Sequence, residues 1–397
     1  MPVEARVPAG WGQVRRVLAV RLDNVGDAVM LGPALRTLRA TLPRVAITLM
    51  CTPAGEQVAP MLPWIDDLLV HSAVWQDASG TMPLDPEGQQ ALVARLRAGR
   101  YDAAVIFTSF SQSPYPPAYA CYLSGIPIRL GQSKEFGGGI LSHWVRPPAD
   151  AAHGVDRNLH LLAATGFTVG DRTLALRLPV AAEARADELL RENGIAPHER
   201  FAIVAPGASC AARRYPAERF AAVTRGLLDA GLRVITSGTA RERPLVEQVQ
   251  SAAGPSAVAL AGEATLPELA ALIARAAVVV CNDSGPMHLA DALRTPVVAL
   301  FSGTDLESQW APRSTRAALL RRPTPCAPCY LFACDQPRPH DAVASLACLD
   351  IDPAEVVAAA LTLAGQAAPT HSADRLPSFA TVATSSSPFP SREGARG

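Results

Sequence analysis

The feature that most constrains this chain is a repeated alternation: a short run of β-branched or aliphatic residues, a glycine-containing turn, then apolar residues at helical spacing. A strand buried on both faces reads as a continuous apolar run, and a helix between successive runs is what a parallel sheet needs to carry the chain back. In the first half the runs predict strands over residues 17–21, 46–50, 103–107 and 126–130. After the first strand, Leu31, Leu35, Leu38 and Leu42 share one helical face, with Pro33 in the first turn. A helix over 158–165 with Gly166 as its cap ends this half, and the looser stretch 173–179 marks a boundary. The second half repeats the pattern with strands over 201–205, 234–237, 278–281 and 297–301. Pro216 opens a helix bearing Phe220, Val223 and Leu227, which Gly231 closes, and a further helix begins near Ser284 or Gly285. Thr265-Leu266-Pro267-Glu268 is a capping-box pattern before a helix that runs to Ala276. The expected class is α/β with two Rossmann-like domains, 1–175 and 176–364. Residues 365–397, rich in Ser, Thr, Pro and Ala without apolar periodicity, form a tail too polar to offset its ordering entropy and are expected to be disordered.

Apolar residues make up 49% of the 397, enough for two substantial cores. Lys plus Arg and Asp plus Glu number 36 each, so no net field draws the chain to nucleic acid, and an anionic ligand must be held locally. The first twenty residues contain Glu4 and two prolines but no long apolar region, and the longest apolar runs are too short to span a bilayer. The expected location is the cytoplasm. Peripheral contact with the inner face of the membrane stays open, because a lipid-linked acceptor would not require an anchor.

Ligands in open α/β sheets bind beyond the carboxyl ends of the strands, so the turns after strands carry the candidates. The first turn, Arg21-Leu22-Asp23-Asn24-Val25-Gly26-Asp27, puts the carboxylate of Asp27 after Gly26 at a helix mouth, where it could act as a base or cap the helix. The second, Ala205-Pro206-Gly207-Ala208-Ser209, offers small residues for close approach, then Arg213 and Arg214 as forked donors for phosphate oxygens or as solvated surface charges. The third, Asn282-Asp283-Ser284-Gly285-Pro286-Met287-His288, is again strand into helix. Its N–H groups suit a diphosphate, Ser284 also reads as an N-cap, and His288 also as a satisfied core imidazole. In the fourth, Ser237 to Glu242, the glutamate could accept bonds from a ribose or simply favour the helix dipole.

Taken in order, these turns resemble glycosyltransferase family 9, the heptosyltransferase family of lipopolysaccharide assembly. The resemblance rests on Arg21 with Gly26-Asp27, Pro33 with Leu35-Arg36 and Leu38-Arg39, and Pro63-Trp64-Ile65-Asp66. It continues through Pro206-Gly207-Ala208, Arg214-Tyr215-Pro216, Gly262 with Thr265-Leu266, and Asn282 to Leu289, so it spans about 17–360. It implies the GT-B architecture, two lobes facing across a cleft, and metal-independent transfer with inversion from a nucleotide-sugar donor, usually ADP-heptose, to a glycan or glycolipid acceptor. It further implies Asp27 as general base, Arg213 or Arg214 at the diphosphate, Asp283 on sugar hydroxyls, Ser284 and Gly285 at phosphate, and Glu242 at the ribose. Arg213 stands where family members often carry a lysine, a departure that keeps charge but changes reach.

Eight cysteines are present. Cys51, Cys121, Cys210 and Cys281 sit in or beside apolar stretches and read as buried thiols. Cys326, Cys329, Cys334 and Cys348, with His340 as a spare ligand, are spaced closely enough for a structural zinc or iron–sulfur site, with reduced, unliganded thiols as the alternative. No cofactor is expected for catalysis. The rival readings are a non-catalytic nucleotide- or metal-binding module, and another GT-B enzyme such as a nucleotide-sugar epimerase.

Overall fold

Twelve strands form two parallel sheets in the computed structural model, which describes residues 8–77, 80–334 and 346–365. The first sheet comprises β1 (Arg16–Arg21), β2 (Ala46–Cys51), β3 (Asp67–Val70), β4 (Ala103–Ile106), β5 (Ile128–Gln132) and β6 (His143–Val145). The second comprises β7 (Phe201–Ala205), β8 (Arg233–Gly238), β9 (Val258–Ala261), β10 (Val278–Asn282), β11 (Val297–Leu300) and β12 (Ala317–Leu320). Their spatial orders, β3-β2-β1-β4-β5-β6 and β12-β11-β10-β7-β8-β9, are the same doubly wound order met twice. In each, the direction of winding reverses between the first and fourth strands, so crevices open beyond the carboxyl ends of β1 and β4, and of β7 and β10.

All eight strands expected from the apolar runs are present and occupy the four inner positions of each sheet. The strands that sequence reading missed are β3, β6, β9 and β12, the four edges. Inner β10 is wholly buried from Val278 to Asn282, whereas β6 and β12 expose or half-expose most of their residues; β3 and β6 carry Asp67 and His143, and β9 and β12 are apolar but alanine-rich and short, a pattern that does not by itself distinguish strand from helix. The strand expected over 126–130 begins two residues later, at Ile128.

The helix signals fare similarly. Pro33 lies in the first turn of helix Gly32–Thr41, and the Thr265–Glu268 capping box forms, Thr265 N donating to Glu268 at 2.7 Å. The helix expected over 158–165 spans Gly154–Ala163 instead, its N-terminus capped by His153 rather than by a residue near Asn158. Helix Pro353–Gly365 was not foreseen; its Val356 and Ala360 are fully buried in the core of the second sheet. That helix ends where the tail was expected to begin, and 366–397 lie outside the described residues. Among the described residues, no helix is long and apolar enough to cross a membrane.

Candidate active site

The turn after β1 and the turn after β10 face each other. Helix Val25–Met30 begins after the first and helix Gly285–Ala292 after the second, and their N-termini pack together. The contact is reciprocal. A Cβ on Gly26 would overlap the ring of His288, with Nε2 at 3.0 Å, and a Cβ on Gly285 would come within 3.1 Å of Val25. Only a residue without a side chain lets these backbones approach so closely.

Asp27 is not an N-cap, since Asn24 holds that position. Its carboxylate instead pairs with the Arg21 guanidinium, and its side chain is 13% exposed. Arg21 also binds Asp23, Nε to Oδ2 at 2.7 Å, and its Nη1 reaches Asn158 Oδ1 at 3.5 Å. Burial pushes the Asp23 carboxyl up to about 6, against the pull of Arg21 and with the help of the Asp27 charge.

Across the junction, Asp283 is buried and likewise pushed up to about 6, burial outweighing Arg213 while Asp305 and Asp27 add to it. His288 is held down at about 4 by burial, opposed by Asp27 and reinforced by His153 and Arg213, so its imidazole is neutral at pH 7. His153 behaves in the same way, lowered to about 4 chiefly by burial. Its Nδ1 accepts from Val155 N at 3.2 Å, which leaves Nε2 to donate to the Ala311 carbonyl at 3.0 Å. That bond joins the first half of the chain to the second, as does Arg313 to Asp156 at 2.7 Å.

The two arginines part company. Arg213 pairs with Asp305, donates to Thr304 Oγ1 at 3.1 Å and lies 3.9 Å from Asp283. Burial alone would lower its pKa, but Asp283 and Asp305 hold it above the ordinary guanidinium range. Arg214 turns away and donates to the Ala208 carbonyl at 3.2 and 3.0 Å, bracing the turn after β7. Asn282, wholly buried, ties that turn to its own: Nδ2 donates to Pro206 O at 2.8 Å and Gly207 O at 3.2 Å, while Oδ1 accepts from Tyr215 N at 3.0 Å.

Ser284 is the N-cap of its helix by position, but its hydroxyl makes no capping bond and donates instead to Asn282 O at 3.2 Å. Glu242 does form a capping box, accepting from Thr239 N and Oγ1, each at 2.9 Å. The same carboxylate lies against Gly207, where a Cβ would meet its Cδ at 2.5 Å. The cap of this helix and the neighbour of the turn after β7 therefore coincide in one residue.

Sequence reading missed Asp23, Gln112, His153 and the buried loop Ser302, Thr304 and Asp305 after β11. The rule that found the other turns applies to β11 as well and would have found that loop.

The structure gives no support to the metal alternative at the cysteines. Cys326 is exposed, Cys329 and Cys334 are half-buried and Cys348 is buried, and among the described residues no three His, Cys, Asp or Glu side chains are placed to hold an ion. His340 lies outside the described residues. The backbone of this segment serves as a strap: Cys329 N donates to Gly303 O and Tyr330 N to Thr304 O, both at 2.9 Å, and Ala212 N donates to Phe332 O at 3.1 Å. Tyr330 also meets Phe110 from the other half of the chain, ring centroids 5.1 Å apart.

A family model described as glycosyltransferase family 9 (heptosyltransferase) matches residues 90–337. The chain is 27% identical to lipopolysaccharide heptosyltransferase 2 of Escherichia coli K12 over 317 residues, 77% of this chain and 88% of that protein. It is 26% identical to lipopolysaccharide heptosyltransferase 3 of the same organism, over 70% of this chain and 80% of the other. In fold it is similar to a family 9 glycosyltransferase of Veillonella parvula, with a TM-score of 0.71 at 22% identity, covering 88% of this chain and 97% of that one. It is also similar to Escherichia coli ADP-heptose lipopolysaccharide heptosyltransferase II, with a TM-score of 0.69 at 22% identity, covering 88% and 98%.

Proposed function

The chain belongs to glycosyltransferase family 9, and from that premise we propose that it transfers a heptose from ADP-heptose to a lipopolysaccharide-core acceptor, with Asp27 as general base. The observation that carries this reading is the junction itself. A carboxylate anchored by Arg21 lies within electrostatic reach of Asp283 and His288, in the turn and helix that pack on its own turn through Gly26 and Gly285. Two substrates held on opposite sides of such a junction would meet at that carboxylate.

In the proposed reaction, Asp27 accepts the acceptor hydroxyl proton as the oxygen attacks the anomeric carbon. The bond from that carbon to the diphosphate oxygen breaks, with inversion. Developing charge on the leaving group is met by backbone N–H groups at the mouth of helix Gly285–Ala292 and by Arg213. Arg213 is engaged with Asp305 and close to Asp283, so binding of a diphosphate would draw it partly from those carboxylates. Asp283 would hold sugar hydroxyls, where a carboxyl titrating near 6 can donate or accept. Neutral His288 buttresses the Asp27 turn without adding charge. Glu242 beside Gly207 would meet the ribose. No step of this scheme uses a metal.

We place the acceptor lobe at residues 1–175 and the donor lobe at 176–364, a division supported by the segregation of β1–β6 and β7–β12 into separate sheets. We place the enzyme in the cytoplasm, where a nucleotide-sugar donor is made, with its lipid-linked acceptor reached from the inner membrane face.

Thermal unfolding with ADP, UDP, GDP, CDP and dTDP tests the donor. A nucleotide at a hundredfold excess over its dissociation constant adds about 2.7 kcal/mol of apparent stability. Selective stabilisation by ADP is expected; stabilisation by another nucleotide alone would overturn the ADP-heptose assignment.

A further inference from the structure

Arg21 ends β1 at the point where the winding of the first sheet reverses, and its side chain is only 3% exposed. A buried guanidinium must be satisfied by protein groups. Here Nη2 donates to Asp27 Oδ1 and Nη1 to Asn158 Oδ1, while Nε lies 2.7 Å from Asp23 Oδ2 as an ion pair without hydrogen-bond geometry. One cation against two carboxylates leaves the trio with a formal charge of −1. Asp27, the more exposed of the two acids, at 13% against 8%, carries that charge toward the other lobe.

Asp23 is fixed from several directions. Its Oδ1 accepts from Gln112 Nε2, and that amide also reaches Gln76 Oε1 at 3.1 Å. Gln112 Oε1 in turn accepts from Ser109 N at 2.9 Å, in the loop after β4. The Asp23 carbonyl accepts from Thr52 Oγ1 at 2.6 Å, at the end of β2. A carboxylate so enclosed cannot reach substrate. Nor is fold stability a sufficient reason for it, because a buried ion pair is commonly no more stabilising than well-packed apolar residues of the same volume.

We infer that Arg21 and Asp23 are positioning residues for Asp27, which orient its carboxylate and set the pH range in which it works as a base. The inference rests on the reading of Asp27 given above. Arg21 binds Oδ1 and leaves Oδ2 for an acceptor hydroxyl, while Asp23 competes for the same guanidinium and tempers its pull. The other titratable and charged groups facing Asp27 are Asp283 from the turn after β10 and His288 from helix Gly285–Ala292, with His153 and Arg213 acting on His288 from behind. His288 is neutral in the working range, so Arg21 is the cation bonded to the base.

The two partners have opposite signs, and the test uses that. The pH profile of kcat/KM, with ADP-heptose and a heptose-accepting lipopolysaccharide core, is measured for the wild type and four variants. Asp23→Asn removes the negative charge that Asp23 carries above about pH 6 and is expected to move the part of the acidic limb in that range to lower pH. Arg21→Gln removes the cation and is expected to move it to higher pH, each by about one unit. Arg21→Lys keeps the charge and is expected to restore the limb while kcat stays low, since an ammonium cannot fork to both carboxylates. A uniform loss of rate in Asp23→Asn and Arg21→Gln with an unmoved limb would overturn the inference. Should Arg21→Gln fail to fold, the limb of Asp23→Asn decides alone. Asp27→Asn separates the two readings: activity near wild type in that variant would sink the base assignment itself, whereas an inactive Asp27→Asn beside unmoved limbs would sink only the positioning pair.

Discussion

The imidazole of His288 lies directly on Gly26, a contact between residues 262 positions apart that joins the first helix of one sheet's crevice to the helix after β10 of the other. Through it, the geometry of the proposed base turn depends on a residue of the opposite lobe.

Gly26→Ala should therefore lower the Tm by the cost of forced overpacking, about 1–3 kcal/mol, and reduce activity because the Asp27 turn must shift. Adding His288→Ala should return part of the lost stability. Equal stability of wild type and Gly26→Ala in thermal denaturation would show that the two helices can part without cost.

Asp27→Asn keeps the shape of the side chain and removes its basicity. On the proposed role of Asp27 as base, the expected loss in kcat is about 10²- to 10⁴-fold, with stabilisation by ADP unchanged. Product formation and nucleotide-dependent thermal shift, measured on the same preparation, check both halves.

Glu242 serves as both cap and neighbour of Gly207. Glu242→Ala should cost about 0.5–2 kcal/mol of stability through the lost cap and, separately, weaken nucleotide binding. Gly207→Ala should weaken nucleotide binding by displacing the carboxylate. Calorimetric titration with ADP reads this effect, and unchanged affinity in both variants would remove Glu242 from the donor site.

Stability should depend on pH through two opposing sets of groups. Asp23 and Asp283 have folded-state pKa values raised to about 6 from 3.8, so their contribution is full below about 3.8 and is lost as pH rises through 6. His153 and His288 are lowered to about 4 from 6.5, so theirs is full above 6.5 and is lost as pH falls through 4. The Tm of Asp283→Asn relative to wild type should accordingly climb between pH 4 and 6. That of His288→Gln relative to wild type should climb as pH falls from 6.5 to 4. Differences that stay constant with pH would mean that these groups are not desolvated as described.

Much of the fold was legible because burial on both faces imposes apolar runs, and the eight inner strands announced themselves in that way. Local chemistry was legible too: Pro33, the Thr265–Glu268 box and the Ser284–Gly285 helix start depend on neighbours within one turn. The candidate turns were found because an α/β sheet presents its ligands at strand ends. The edge strands were not legible, since β3 and β6 are interrupted by Asp67 and His143, while the short alanine-rich runs of β9 and β12 read equally well as helix or strand. Nor could sequence order reveal that Arg21 grips Asp23 and Asp27 together, that Arg213 rather than Arg214 sits among carboxylates, or that His288 rests on Gly26. The cysteine spacing left metal and free thiols as alternatives because spacing along the chain says nothing of which way each thiol faces or how deeply it lies. The sequence alone determined the sheets and the turns that could carry chemistry. Only tertiary structure decided which charges meet there, because those contacts join segments that no local rule relates.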